Sequence, residues 1–136
     1  MSDRILWRTA LALVLAGLGV AGYLTWTHYA SEAPICSLSH GCEAVQSSRY
    51  ASIGSVPVAV LGLAGYFALL VTLVFDREVL RLAAAGVALV GALFSAWLTY
   101  VEIARIHAIC QWCVTSAALM LALAAITVWR AARSSR

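Results

Sequence analysis

The chain has 136 residues, 63% of them hydrophobic and 11% charged, with a mean hydropathy of +0.92. That is too apolar for an ordinary soluble domain, where the apolar share is nearer to half, so it reads as a membrane protein. Nine basic residues, all arginine, against six acids give a formal charge of +3, which means little as a total and much as a distribution.

Four apolar stretches are long enough to cross a bilayer, which takes about 20 helical residues at ~1.5 Å rise each. They lie near 6–28, 57–75, 79–101 and 109–129. The first, apolar from Ile5 to Tyr23, is longer than the apolar core of a signal peptide and reads as a retained span. Trp7, Tyr23, Trp26 and Tyr29 bracket it, and Trp112 and Trp129 bracket the fourth, the pattern of rings settling at both headgroup levels. Pro57 opens the second, at a first-turn position where its missing N–H is not needed. Asp76-Arg77-Glu78 is a tight turn into the third. The expected architecture is all-α: an integral membrane four-helix bundle forming a single transmembrane domain over 1–136, with an outer loop at 29–56.

Charge sets the orientation. Arg4, Arg8, Arg77, Arg81, Arg130, Arg133 and Arg136 share one side, and only Arg49 and Arg105 fall on the other. The positive-inside rule then places both termini in the cytoplasm and all four cysteines on the extracytoplasmic face, where disulfides persist. The tail from Arg130 to Arg136 reads as an anchor facing anionic headgroups, not as a nucleic-acid contact.

The chemistry lies in two cysteine pairs. Cys110 and Cys113 sit one helical turn apart at the head of the fourth span, within Ile-His-Ala-Ile-Cys-Gln-Trp-Cys-Val-Thr-Ser-Ala, residues 106–117. Unsatisfied N–H groups and the helix dipole at such a position stabilise a thiolate, and a Cys-x-x-Cys cycles readily between dithiol and disulfide. A lone cysteine there would more simply be a small buried hydrophobe. Cys36 and Cys42 flank Gly41 in the outer loop, close enough to bridge through a turn. A loop pair beside a fixed pair suggests a relay, in which exchange through a mixed disulfide passes two electrons on; the alternative is a static loop staple. Together with His40 and His107 these thiols also include enough soft ligands for zinc. A zinc knuckle usually draws two such pairs from soluble loops, whereas one pair here heads a lipid-embedded helix, so no metal is expected. His107, three residues before Cys110, is placed to help hold a thiolate; His28 and His40 read as solvated.

Electrons delivered to thiols at a membrane surface need an acceptor, and a lipid-soluble two-electron carrier can reach a site between helices. Phe94, Trp97, Leu98 and Val101 recur at i, i+3, i+4 and i+7, one face of the third span, and offer a wall for such a ring or plain helix packing. Glu102 reads as an interfacial charge; its closeness to that wall leaves proton handling open, since quinone reduction takes up two protons.

The chain resembles the vitamin K epoxide reductase family. The likeness rests on the four-helix core, the loop Cys36-x5-Cys42 followed by Glu-Ala-Val45-Gln-Ser-Ser48-Arg-Tyr, and Tyr100-Val-Glu-Ile leading to Ala-Ile-Cys110-x-x-Cys113-Val. It covers nearly the whole chain and looks like a bacterial member. The resemblance implies a shuttle pair, Cys36 and Cys42, taking electrons from a thioredoxin-like extracytoplasmic partner. It implies an active-site pair, Cys110 and Cys113, reducing a quinone of the ubiquinone or menaquinone type, with Val45 and Ser48 near the quinone head. Two departures stand out. The chain stops at Arg136 without the fused thioredoxin-like domain of many relatives, so the partner would be a separate protein. Val58-Ala-Val-Leu and Thr115-Ser-Ala-Ala are mostly apolar where vertebrate members carry polar ring contacts, which speaks against epoxide reduction specifically. The other quinone-linked disulfide-forming family also has four helices and two cysteine pairs, but its Cys-x-x-Cys comes in the first outer loop, the reverse of the order here. A non-enzymatic membrane protein with a stapled loop is the rival from another class; mixed disulfides would distinguish the relay from it.

Overall fold

A computed structural model describes residues 2–30, 52–53, 56–106 and 111–134. Four helices run α1 (Asp3–Tyr29), α2 (Val58–Phe75), α3 (Glu78–Val101) and α4 (Gln111–Ser134), all long and apolar enough by length and composition to cross a membrane. A short antiparallel pair, β1 (Ser52–Ile53) and β2 (Val56–Pro57), precedes α2, with Ser52 opposite Pro57 and Ile53 opposite Val56. This pair was not expected from the sequence. It moves Pro57 from the first turn of the helix to the residue just before it, a position that also requires no N–H from the imino acid.

Local chemistry explains the boundaries. Ser2 caps α1 by accepting the Ile5 N–H at 3.3 Å, and Asp3 in the first turn complements the helix dipole. The α2–α3 connection is made by Asp76 at φ 40°, a left-handed conformation that aspartate tolerates better than most residues, with its N–H donated to the Thr72 carbonyl at 2.9 Å. After Val101 the backbone widens into a π-helical turn, Glu102–Ile106.

Each helix packs on two neighbours: α1 on α2 and α4, and α3 on α2 and α4. The seams are built from small side chains. Ala84, Ala88 and Ala92 form an i, i+4 ladder on α3, and Ala10, Val14, Gly17 and Ala21 do the same for α1. Lipid supplies no hydrophobic force between helices, so close backbone approach and dispersion must hold the bundle together. Gly17 shows how tight that approach is: the ring of Tyr66, fully buried on α2, occupies the space where a Cβ would stand. Large apolar side chains such as Leu15, Phe67, Val74, Leu89 and Leu93 point outward, as a lipid-facing surface requires and an aqueous one does not.

The described ends of α1 and α4 meet the α2–α3 turn at one end of the bundle. There Arg130 reaches Asp3 at 3.1 Å and Asp76 at 2.9 Å, while Arg81 reaches Asp76 at 3.2 Å and Asp3 at 3.5 Å. Arg130 is therefore not part of a headgroup-facing anchor. Three helix ends converge on it and leave it 3% exposed, with two aspartates as its charge-assisted partners. Trp7 likewise turns inward, donating its indole N–H to the Leu73 carbonyl at 2.9 Å, and serves as a tie between α1 and α2.

Candidate active site

At the opposite end, Cys113 is the third residue of α4 and half-buried. It stands in the first turn, where backbone N–H groups lack intrahelical carbonyl partners, as the sequence led us to expect. Its side chain borders a cavity of about 600 Å³ to which all four helices contribute. Ala21 and Leu24 come from α1, Gly62, Gly65 and Tyr66 from α2, Ser116 and Met120 from α4, and the longest wall, from Gly86 to Glu102, from α3 and the first residue of the π-helical turn. That wall spans about 24 Å of helix.

The cavity is graded. Ser95, Thr99, Glu102, Cys113 and Ser116 gather its polar groups toward the Cys113 end, whereas Gly86, Val87, Val90 and Gly91 leave the deeper part apolar. Most of the hydroxyls are committed: the Tyr66 phenol donates to the Ser116 carbonyl at 2.9 Å and lies 2.9 Å from the Ser116 hydroxyl, and the Thr99 hydroxyl donates to the Ser95 carbonyl at 2.9 Å. The side is open. Val90, a wall residue, is 69% exposed, and the lining residues Leu61 and Gly86 are also exposed, so a lateral mouth between α2 and α3 faces the lipid side. A Cβ built on Gly65 or Gly86 meets nothing within 4 Å, so helix packing does not demand their small size; it adds to the room inside.

The structure brings together Phe94, Leu98, Val101, Glu102 and Cys113 of the residues singled out in the sequence. It does not bring Trp97 with them. Trp97 stacks on Phe94 at a centroid distance of 6.0 Å but stands 48% exposed on the outer surface of α3, off the cavity wall. The inward face is rotated by about one residue and runs Ser95, Leu98, Thr99 and Glu102, again i, i+3, i+4 and i+7. In lipid the polar positions of a helix turn inward, so apolar periodicity finds Phe94, Leu98 and Val101 on the wall but takes in Trp97 and passes over Ser95 and Thr99. Cys36, Cys42, Val45, Ser48, His107 and Cys110 lie outside the described residues.

Sequence reasoning missed Tyr66, Ser95, Thr99 and Ser116. A signal was present for each: they are polar groups inside apolar runs, and such groups in a span face the bundle interior. Ser116 also follows Cys113 by three residues, one helical turn.

An apolar chamber with a thiol at its polar end and a doorway to lipid is suited to redox exchange between sulfur and a membrane-soluble ligand. The chain matches the vitamin K epoxide reductase family over residues 8–128, which runs from within α1 to within α4 and takes in the cysteine pairs and the cavity wall. This multi-pass membrane protein thus belongs to the vitamin K epoxide reductase family, as a thiol oxidoreductase.

Proposed function

We propose that the chain passes electrons from an extracytoplasmic thioredoxin-like protein, through Cys36 and Cys42, to Cys110 and Cys113 and on to a quinone, and so drives disulfide formation. The whole chain acts as one transmembrane unit, both termini in the cytoplasm and the four cysteines on the outer face. The observation that carries this reading is the placement of Cys113, the only cysteine among the described residues, on an apolar cavity that opens toward lipid. The cavity fits the acceptor by size and grading: a flat ring with polar oxygens matches its Cys113 end, and an apolar tail matches the deeper part and the lateral mouth. Phe94 and Leu98 would flank the ring, with Val45 and Ser48 of the loop near its head. The family's general use of quinones and thioredoxin-like partners supports both ends of the relay.

The sulfur chemistry balances. A reduced partner transfers two electrons and two protons to the loop disulfide by exchange; the loop dithiol reduces the Cys110–Cys113 disulfide in the same way; that dithiol reduces a quinone to a hydroquinone. Each pair is returned to its starting state. The test is steady-state reduction of a short-tailed quinone by a dithiol donor. Cys110→Ala or Cys113→Ala should abolish it, and undiminished turnover in either variant removes the assignment. Cysteine-to-serine variants trapped with a partner and mapped by mass spectrometry should yield mixed disulfides, which a static loop staple does not form.

A further inference from the structure

Glu102 is a buried acid on the cavity wall for which the relay has no use. It is 3% exposed, the only carboxyl on the cavity wall among the described residues, and it sits where α3 gives way to the π-helical turn. The next three residues, Ile103, Ala104 and Arg105, are exposed, so the turn isolates one inward carboxyl at the rim. Removing a carboxyl from water is costly, and intramembrane acids recur on proton paths. A π turn within a helix is also a frequent mark of a functional position.

We infer that Glu102 carries a proton between the Cys113 thiol and an oxygen of the bound quinone. The inference rests on the proposed quinone reaction and adds a residue to it. Oxidation of the Cys110/Cys113 dithiol releases two electrons and two protons, and a quinone takes up the same number. The Glu102 carboxylate accepts one proton as the Cys113 sulfur gives up its hydrogen, then passes it to a quinone oxygen as that oxygen gains electron density. The second proton comes from the other thiol. The carboxylate ends the cycle as it began, and no outside acid or oxidant is consumed. Of the other groups at this end, the Tyr66 phenol is hydrogen-bonded to Ser116 and the Thr99 hydroxyl donates to the Ser95 carbonyl, and a phenol or an alcohol is a far weaker acid than a carboxyl. Glu102 and Thr99 lie on one face of α3, so Thr99 extends the polar surface inward from the carboxyl.

The experiment uses the full-length protein in detergent or nanodiscs and a short-tailed ubiquinone as acceptor. Glu102→Gln is nearly isosteric and should lower kcat by about a hundredfold, with KM and the equilibrium affinity for the quinone changed less than about threefold. It should also raise the solvent deuterium isotope effect on a single turnover of the pre-reduced protein. Glu102→Asp should recover part of the rate, and formate or acetate should partly restore Glu102→Ala. A Gln variant with wild-type kcat, or one whose whole loss lies in quinone affinity, overturns the inference while leaving the thiol–quinone reading intact. Wild-type protein that reduces no quinone ends both. If the Gln variant does not fold, the Asp variant and carboxylate rescue decide: an Asp variant no more active than Glu102→Ala, or no rescue of Glu102→Ala, counts against a carried proton.

Discussion

Arg130 and Glu102 are equally hidden from water, each 3% exposed, at opposite ends of the same bundle. Arg130 is enclosed by two aspartates from two other elements, which take the hydrogen bonds of its Nε and Nη2. Glu102 opens on a cavity beside a thiol. Burial of a charge therefore does not mark a site by itself; what the charge faces does. One end of this molecule is closed by ion pairs that join α1, the α2–α3 turn and α4, and the other is kept hollow by glycines and small hydroxyl residues.

Substitutions at the two ends should separate chemistry from stability. The largest effect is expected for Cys113→Ala, which should leave no measurable quinone reduction while the thermal midpoint moves little. Arg130→Met should show the converse. It leaves Arg81 as the ion-pair partner of Asp3 and Asp76 among the described residues, and the loss of several charge-assisted hydrogen bonds should lower stability by about 2–3 kcal/mol, seen as a lower thermal midpoint. Turnover per folded molecule should stay at the wild-type level. Adding Asp3→Asn and Asp76→Asn to that variant should recover part of the loss, because the orphaned carboxylates are then removed; no recovery would mean that shape, not charge, closes this end.

Gly17→Ala tests the junction between the two regions. Its methyl group overlaps the Tyr66 ring, so overpacking should destabilise the protein by about 2 kcal/mol and push the ring toward the cavity, raising KM for the quinone. An unchanged melting curve would show that α1 and α2 move apart freely. The smallest effects concern α3. Leu98→Ala should raise KM for the quinone about tenfold through lost contact, whereas Trp97→Leu, on the outer surface, should leave kcat and KM within about twofold of wild type. Equal losses from both would place the acceptor against the outer face of the helix, outside the cavity.

The contrast between Leu98 and Trp97 also shows what a sequence can reveal of a membrane protein. The four spans were legible because the bilayer demands long apolar runs and charges collect at their ends. Cys113 was legible through its spacing from Cys110 and its position at the start of a span. The inward face of α3 was legible only in part: Phe94, Leu98 and Val101 line the cavity, but the same stripe took in Trp97 and passed over Ser95 and Thr99, because in lipid an apolar stripe does not fix which way a helix turns. The fate of Arg130 was equally hidden: a terminal arginine next to a membrane reads as a headgroup contact until Asp3 and Asp76, remote in sequence, are seen to converge on it. Tyr66 and Ser116 were visible as letters, but their pairing across 50 residues depends on how α2 and α4 cross.

The mouth flanked by Leu61 and Val90 affects how the protein must be assayed. A quinone arriving through the flank of the bundle is counted per lipid molecule, not per litre of buffer. Its apparent saturation constant should follow the mole fraction of quinone in the bilayer or micelle, and adding empty detergent at fixed total quinone should slow the reaction by surface dilution alone.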